Sequence, residues 1–194
     1  DAVIDANTVA LRAIRTAGMP PPRASRLLAM VHAAAYDAVN GILGGHDAYM
    51  VGLPAAPVGA SADAAAAAAA HRVLSAQLPA QVALFDKYLA AQLATLPDNA
   101  ARDDGEGYGV TVANALLTAR SSDGAGTVTP FTPDPGIGHW QPTPAALAPA
   151  LLPNWPTVTP FAMTSGDQFR PADGPPDVTS ADYTAEYNEV KSLG

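Results

Sequence analysis

Apolar residues recur at intervals of three and four through most of the first 124 positions, and proline and glycine breaks divide the pattern into five stretches. The most strongly patterned runs from Pro22 to Gly41. Leu27, Leu28, Val31, Ala34, Ala35, Ala38, Val39 and Ile42 form its apolar stripe, Pro20 to Pro22 sit where a helix can begin, and Gly41 with Gly44 and Gly45 is read as the stop. The remainder of the fold is expected to be organised around this helix. A polar row runs beside the stripe: His32, Tyr36 and Asn40 are four apart, with Asp37 adjacent. His32 and Asp37 are five apart, so they share a face poorly and make a weak metal pair. A hydrogen-bonded structural network is the expected role, because buried polar groups find partners.

The other stretches read in order as helices at Val3 to Ala17, Ser61 to about Leu78, Pro79 to about Leu96, and Asp98 or Asn99 to about Ser122. Ser61 is placed as an N-cap with Asp63 in the first turn, and seven consecutive alanines follow. A helix that thin invites close approach by its neighbours. Gly105, Gly109 and Ala113 lie four apart, and each glycine costs about 1 kcal/mol of helix propensity. Such a row is expected to be a seam for another backbone. A phosphate-binding loop is disfavoured, because no strand precedes it and no Gly-Lys-Ser/Thr follows.

From Ala125 to Val178 the pattern disappears. Most of the 19 prolines, both tryptophans and three of the four phenylalanines fall there. Phe131, Trp140, Trp155, Phe161 and Phe169 occur at intervals that a disordered proline-rich segment would not show. An ordered strap is expected, with Trp140 and Trp155 each burying a large ring in a groove of the helical body. Thr179, with Asp182 three residues on, is read as the cap of a sixth helix beginning near Ala181. The resulting division is 1–124 helical bundle, 125–178 strap and 179–194 the start of a further helix. The fold class is all-α.

Composition narrows function mostly by exclusion. Charged residues are only 14% and the net charge is −8, so the basic stripe that nucleic acid requires is missing. The low charge leaves little purely solvated helix surface. It suggests that some faces are covered by protein outside this chain. No apolar run is long enough for a membrane span, and Ala64 to Ala70 is too short and small-chained. With no cysteine, thiolate metal sites are excluded. His32, His46, His71 and His139 are dispersed, Asp103-Asp104 reads as a solvated helix start, and no calcium-loop or nucleophile-elbow pattern occurs. No catalytic, cofactor-binding or metal-binding residue is assigned within the chain. No signal peptide is visible at Asp1, which is compatible with a mature exported protein.

Three collinear stretches carry a resemblance: LRAIRTAGMPPPRASRLLAMVHAAAYDAVNGI, SADAAAAAAAHRVLSAQLP, and the segment from Pro135 to Gly194. The last contains Trp140-x-Pro142-Thr143-Pro144 and the spacing of Asn154-Trp155 to Pro160-Phe161. Together they resemble the amino-terminal half of bacterial vanadium-dependent haloperoxidase-like proteins, relatives of vanadate-sensitive acid phosphatases. Ala6 departs from the pattern, which implies a bulky aromatic before Asn7.

The resemblance implies an all-helical enzyme of two bundle-like halves, with vanadate or phosphate held by the second. There a Lys and two Arg neutralise the oxyanion, a Ser-Gly-His donates hydrogen bonds, and a further His approaches the metal. The nearest match here is Ser165-Gly166-Asp167, whose carboxylate would repel an oxyanion. This chain is therefore expected to be a scaffold, inactive alone. Its partner would be a carboxy-terminal catalytic half, and the whole would act on halide, hydrogen peroxide and an organic substrate; homo-oligomerisation is left open. A non-catalytic helical binding module and half of an acid phosphatase are the alternatives.

Overall fold

The computed structural model describes residues 1–194, which form six α-helices and no β-strand. They are α1 (Ala2–Thr16), α2 (Pro21–Leu43), α3 (Ala62–Gln77), α4 (Val82–Leu93), α5 (Ala100–Ala119) and α6 (Ala181–Leu193), with short 3-10 turns at Pro79–Gln81 and Trp155–Thr157. Two compact units result, Asp1–Asp123 and Gly124–Gly194.

In the first unit the hub is α3, not α2. Ala64 through Ala70 are all buried, followed by Val73 and Leu74, and α3 packs against α1, α2, α4 and α5. A helical stretch clothed only in methyl groups, as Ala64 to Ala70 is, can be surrounded, because neighbouring backbones come close enough for dispersion contacts that a bulkier sheath would prevent. Larger side chains from the surrounding helices complete the core: Leu27, Met30 and Val31 from α2, Phe85 from α4, Val112 and Leu116 from α5.

The glycine row of α5 faces this hub. A Cβ on Gly105 would overlap the carbonyl of Ser61, and one on Gly109 would overlap the carbonyl of Ala65. The seam thus serves packing inside the chain, and the backbones join where Ser61 N–H donates to the Ala101 carbonyl at 2.8 Å. On α1 the buried face is Ala2, Ala6, Ala10 and Ala13 with Ile14. The small Ala6, 2% exposed, fits that close-packed face, where an aromatic would hold α1 away.

Caps set most boundaries. Asp1, Ser61 and Asn99 accept backbone N–H bonds at the starts of α1, α3 and α5. Two expected boundaries differ. Gly41 does not end α2, which continues to Leu43 and stops at Gly44, where φ is 69°; Gly41 instead leaves room for the Tyr108 ring. The cap of α6 is Ser180, accepting from Tyr183 N–H, while Thr179 bonds to Asp177.

The second unit is held by polar ties. Asn154, 2% exposed, donates from Nδ2 to the Gly124 carbonyl at 3.0 Å, and Thr157 Oγ1 donates to the Asn154 carbonyl at 2.8 Å. The expected burial of Trp140 is not found. Trp140 is 46% exposed, and its ring meets Phe131 edge to face at 5.6 Å between centroids. Trp155 is half-buried, at the start of its 3-10 turn.

Candidate functional site

The polar row of α2 ties down the loop that follows it. Asp37, 1% exposed, accepts the backbone N–H groups of Tyr49 at 2.7 Å and Met50 at 2.8 Å. Asn40 works in both directions, donating Nδ2–H to the His46 carbonyl and accepting from His46 N–H. The Tyr36 hydroxyl donates to the Asp47 carbonyl at 2.7 Å. Three side chains on adjacent turns therefore satisfy backbone groups at His46, Asp47, Tyr49 and Met50, in a glycine-rich loop whose backbone has no secondary-structure partner. His32 Nε2 lies 3.3 Å from Asn7 Oδ1 and links α2 to α1. The network reading of this row is what the structure displays.

Between the start of α1 and the end of α2 lies an open groove of about 500 Å³, lined by Val3, His32, Ala35, Tyr36, Val39 and Leu43 among others. Its surface is chiefly apolar. On the other side of α2, Tyr108 from α5 donates its hydroxyl to the Pro54 carbonyl at 3.2 Å. Burial, with the nearby Asp37 carboxylate, raises the Tyr108 phenol above its ordinary range.

The remaining histidines are separate. His71 on α3 pairs with Asp86 on α4, Nε2 to Oδ1 at 2.8 Å, and His139 lies 3.7 Å from Asp134 in the second unit. No group of three His, Asp or Glu side chains is positioned to hold a metal ion.

One charged cluster was not foreseen from the sequence. Asp123 Oδ2 accepts from Arg26 Nε at 2.8 Å and from Arg120 Nη2 at 2.7 Å, and both Asp123 and Arg120 are buried. Arg26 also donates to the Arg120 carbonyl and to Gln77 Oε1, so its guanidinium serves the carboxy-terminal end of α5 and reaches the end of α3. A cation at a helix carboxy terminus is favoured by the helix dipole and satisfies carbonyls the helix cannot. Arg26 and Asp123 are 97 residues apart, and no local spacing marks them as partners. This cluster is a lock, with its carboxylate already occupying the cations.

Vanadate needs convergent cations and donors, and the residues present do not fit it. Ser165, Gly166 and Asp167 line an open pocket of about 420 Å³ with Arg170, Thr164 and Pro156. The Ser165 hydroxyl, then the local backbone and Arg170, hold the Asp167 carboxyl below its ordinary range. An ionised carboxylate therefore lines this pocket and would repel an oxyanion entering it. Lys87 and Lys191 are exposed on separate helices.

No family model and no curated protein matches the chain. Among solved structures, the crystal structure of the first bacterial vanadium-dependent iodoperoxidase is similar over 100% of this chain and 51% of its own, with a TM-score of 0.73 and 23% identity. The fold is thus that of part of a vanadium-dependent peroxidase. The chain spans about half the length of that enzyme.

Proposed function

We propose that this chain is the amino-terminal scaffold of a vanadium haloperoxidase-like enzyme, in which a second, carboxy-terminal portion carries the oxyanion site and the whole uses hydrogen peroxide to oxidise a halide. The observation that carries this reading is the full-length fold match to half of the iodoperoxidase. Two features support it. The chain's own cations are dispersed or engaged with Asp123, and its nearest approach to an oxyanion-binding triplet ends in the ionised Asp167. The role left to the scaffold is to hold the catalytic portion in place and form one wall of its approach.

Isothermal titration of the 194-residue chain with orthovanadate, together with iodide and bromide oxidation assays in peroxide, tests the division of labour. The isolated chain should show neither binding nor turnover; the product of its complete reading frame should show both. Micromolar binding to the isolated chain, or a complete product that leaves halide unoxidised, refutes the proposal.

A further inference from the structure

The helix α6 has no buried residue, and every position from Ala181 onward is exposed. Along one stripe stand Tyr183, Tyr187 and Val190, which are 38%, 57% and 70% exposed. The spacing of four and three places them within about 60° of each other on the helix surface. Asp182, Glu186 and Glu189 follow along one flank, while Thr184 and Lys191 lie on the other.

A helix of this kind has little reason to persist uncovered. It contains 13 residues, and isolated helices shorter than about 12 to 15 residues are marginal in water even in alanine-rich sequences. Ser180 caps its start, Asp182 stands in the first turn and Lys191 in the last, each contributing a fraction of a kcal/mol to about 1 kcal/mol. Two tyrosines and a valine aligned on one face gain much more when covered. The cover has a source, because the iodoperoxidase sharing this fold is about twice as long as the matched region.

We infer that α6 is the docking element for the carboxy-terminal portion, which receives the Tyr183–Tyr187–Val190 stripe in an apolar groove whose rim carries Lys or Arg opposite Asp182, Glu186 and Glu189. This rests on the proposed function and adds to it the contact surface and the chemistry of its counterpart. Covering the stripe removes large apolar area from water, and the one-sided acidic flank fixes the direction in which the helix is seated.

Hydrogen exchange read by mass spectrometry, on the 194-residue chain and on the product of its complete reading frame, tests the inference. In the isolated chain the amides of α6 should exchange within about tenfold of the unfolded rate, and in the complete product they should slow by at least about 100-fold. The double variant Tyr183→Asp, Tyr187→Asp should abolish that slowing, whereas Asn188→Asp on the opposite face should leave it. Protection of α2 and α3 serves as the folding reference for each variant.

Strong protection of α6 in the isolated monomer overturns the inference. So does protection that rises with concentration as a dimer forms, since the cover is then a second copy. A complete product that binds orthovanadate while α6 stays unprotected removes the docking role and leaves the proposed function standing. Protection without orthovanadate binding does the reverse.

Discussion

Replacing Gly109 by alanine should destabilise the helical unit, whereas the same replacement at Gly107, two residues away on α5, should stabilise it. Both gain roughly 1 kcal/mol of helix propensity. At Gly107 the new methyl group meets nothing within 4 Å, so that gain stands alone. At Gly109 it overlaps the backbone carbonyl of Ala65, which has no rotamer through which to move away. Relief requires α5 and α3 to separate, and α3 is also packed against α1, α2 and α4. Overpacking of a core costs typically 1 to 3 kcal/mol, and a rigid backbone target puts this case near the upper end, about 3 kcal/mol. The net for Gly109→Ala is then a loss of about 2 kcal/mol, and the two variants, identical in composition, should differ by about 3 kcal/mol. Urea unfolding followed by circular dichroism at 222 nm reads the difference as a shift of midpoint at constant slope. Equal midpoints for the two variants would show that the seam accommodates a methyl group and would sink the close-packing account of the hub.

Three other perturbations probe the polar ties. Asp37→Asn leaves one acceptor where two backbone N–H groups converge and should cost about 2 to 3 kcal/mol, with faster exchange confined to Tyr49, Met50 and their neighbours; an unchanged exchange pattern would contradict the anchoring role. Asp123→Asn leaves the buried Arg120 and the half-buried Arg26 beside a neutral amide and should cost about 3 kcal/mol in the same unfolding assay. At alkaline pH, Tyr88 supplies the readout: burial, with Asp5 nearby, raises its phenol above the ordinary value of 10.0, and its hydroxyl donates to the Ala2 carbonyl. The stabilising contribution is full below that value and is lost as pH rises through the folded one. Absorbance at 295 nm should therefore show Tyr88 ionising only as the unit unfolds, and Tyr88→Phe should remove that late component; a phenol that titrates normally in the folded chain would refute it.

The helices were legible in the sequence because their signals are local. Ser61 and Asn99 act through N–H groups three residues away, the prolines before α2 and α4 act on their own backbone, and the apolar stripe needs only its period. Gly41 misled because a glycine can serve either chain reversal or close packing, and only the distant Tyr108 reveals which. The rank of α3 was hidden for a similar reason. Alanine has weak hydropathy and wins the centre of a bundle through smallness, a property of the neighbours it admits. The polar row on α2 could be read as a network, but its loop partners could not, since a carboxylate that will accept N–H groups 12 and 13 residues ahead looks like any other. The Arg26–Asp123 lock depends on tertiary placement and left no trace at short range.

These packing choices also bear on where function can reside. The packing of α5 on α3 is so close that Gly105 and Gly109 admit no Cβ, and the groove beside α1 and α2 opens at the surface of the first unit. That groove is mainly apolar. Its polar groups are already committed, Asn40 to the His46 backbone, Tyr36 to Asp47 and His32 to Asn7. In the second unit the open pocket presents Asp167. Arg26 and Arg120 are committed to Asp123, and Asn40 and Asn154 to backbone carbonyls of the chain's own loops, so these buried polar groups act as internal ties. That distribution suits a scaffold, and it predicts that whatever binds this chain is recognised first through apolar surface, with charge setting orientation. The binding of a carboxy-terminal portion should accordingly show a negative heat-capacity change and only a shallow dependence on salt. A steep salt dependence with no heat-capacity change would mean that the acidic flank of α6, and not its aromatic stripe, carries the contact.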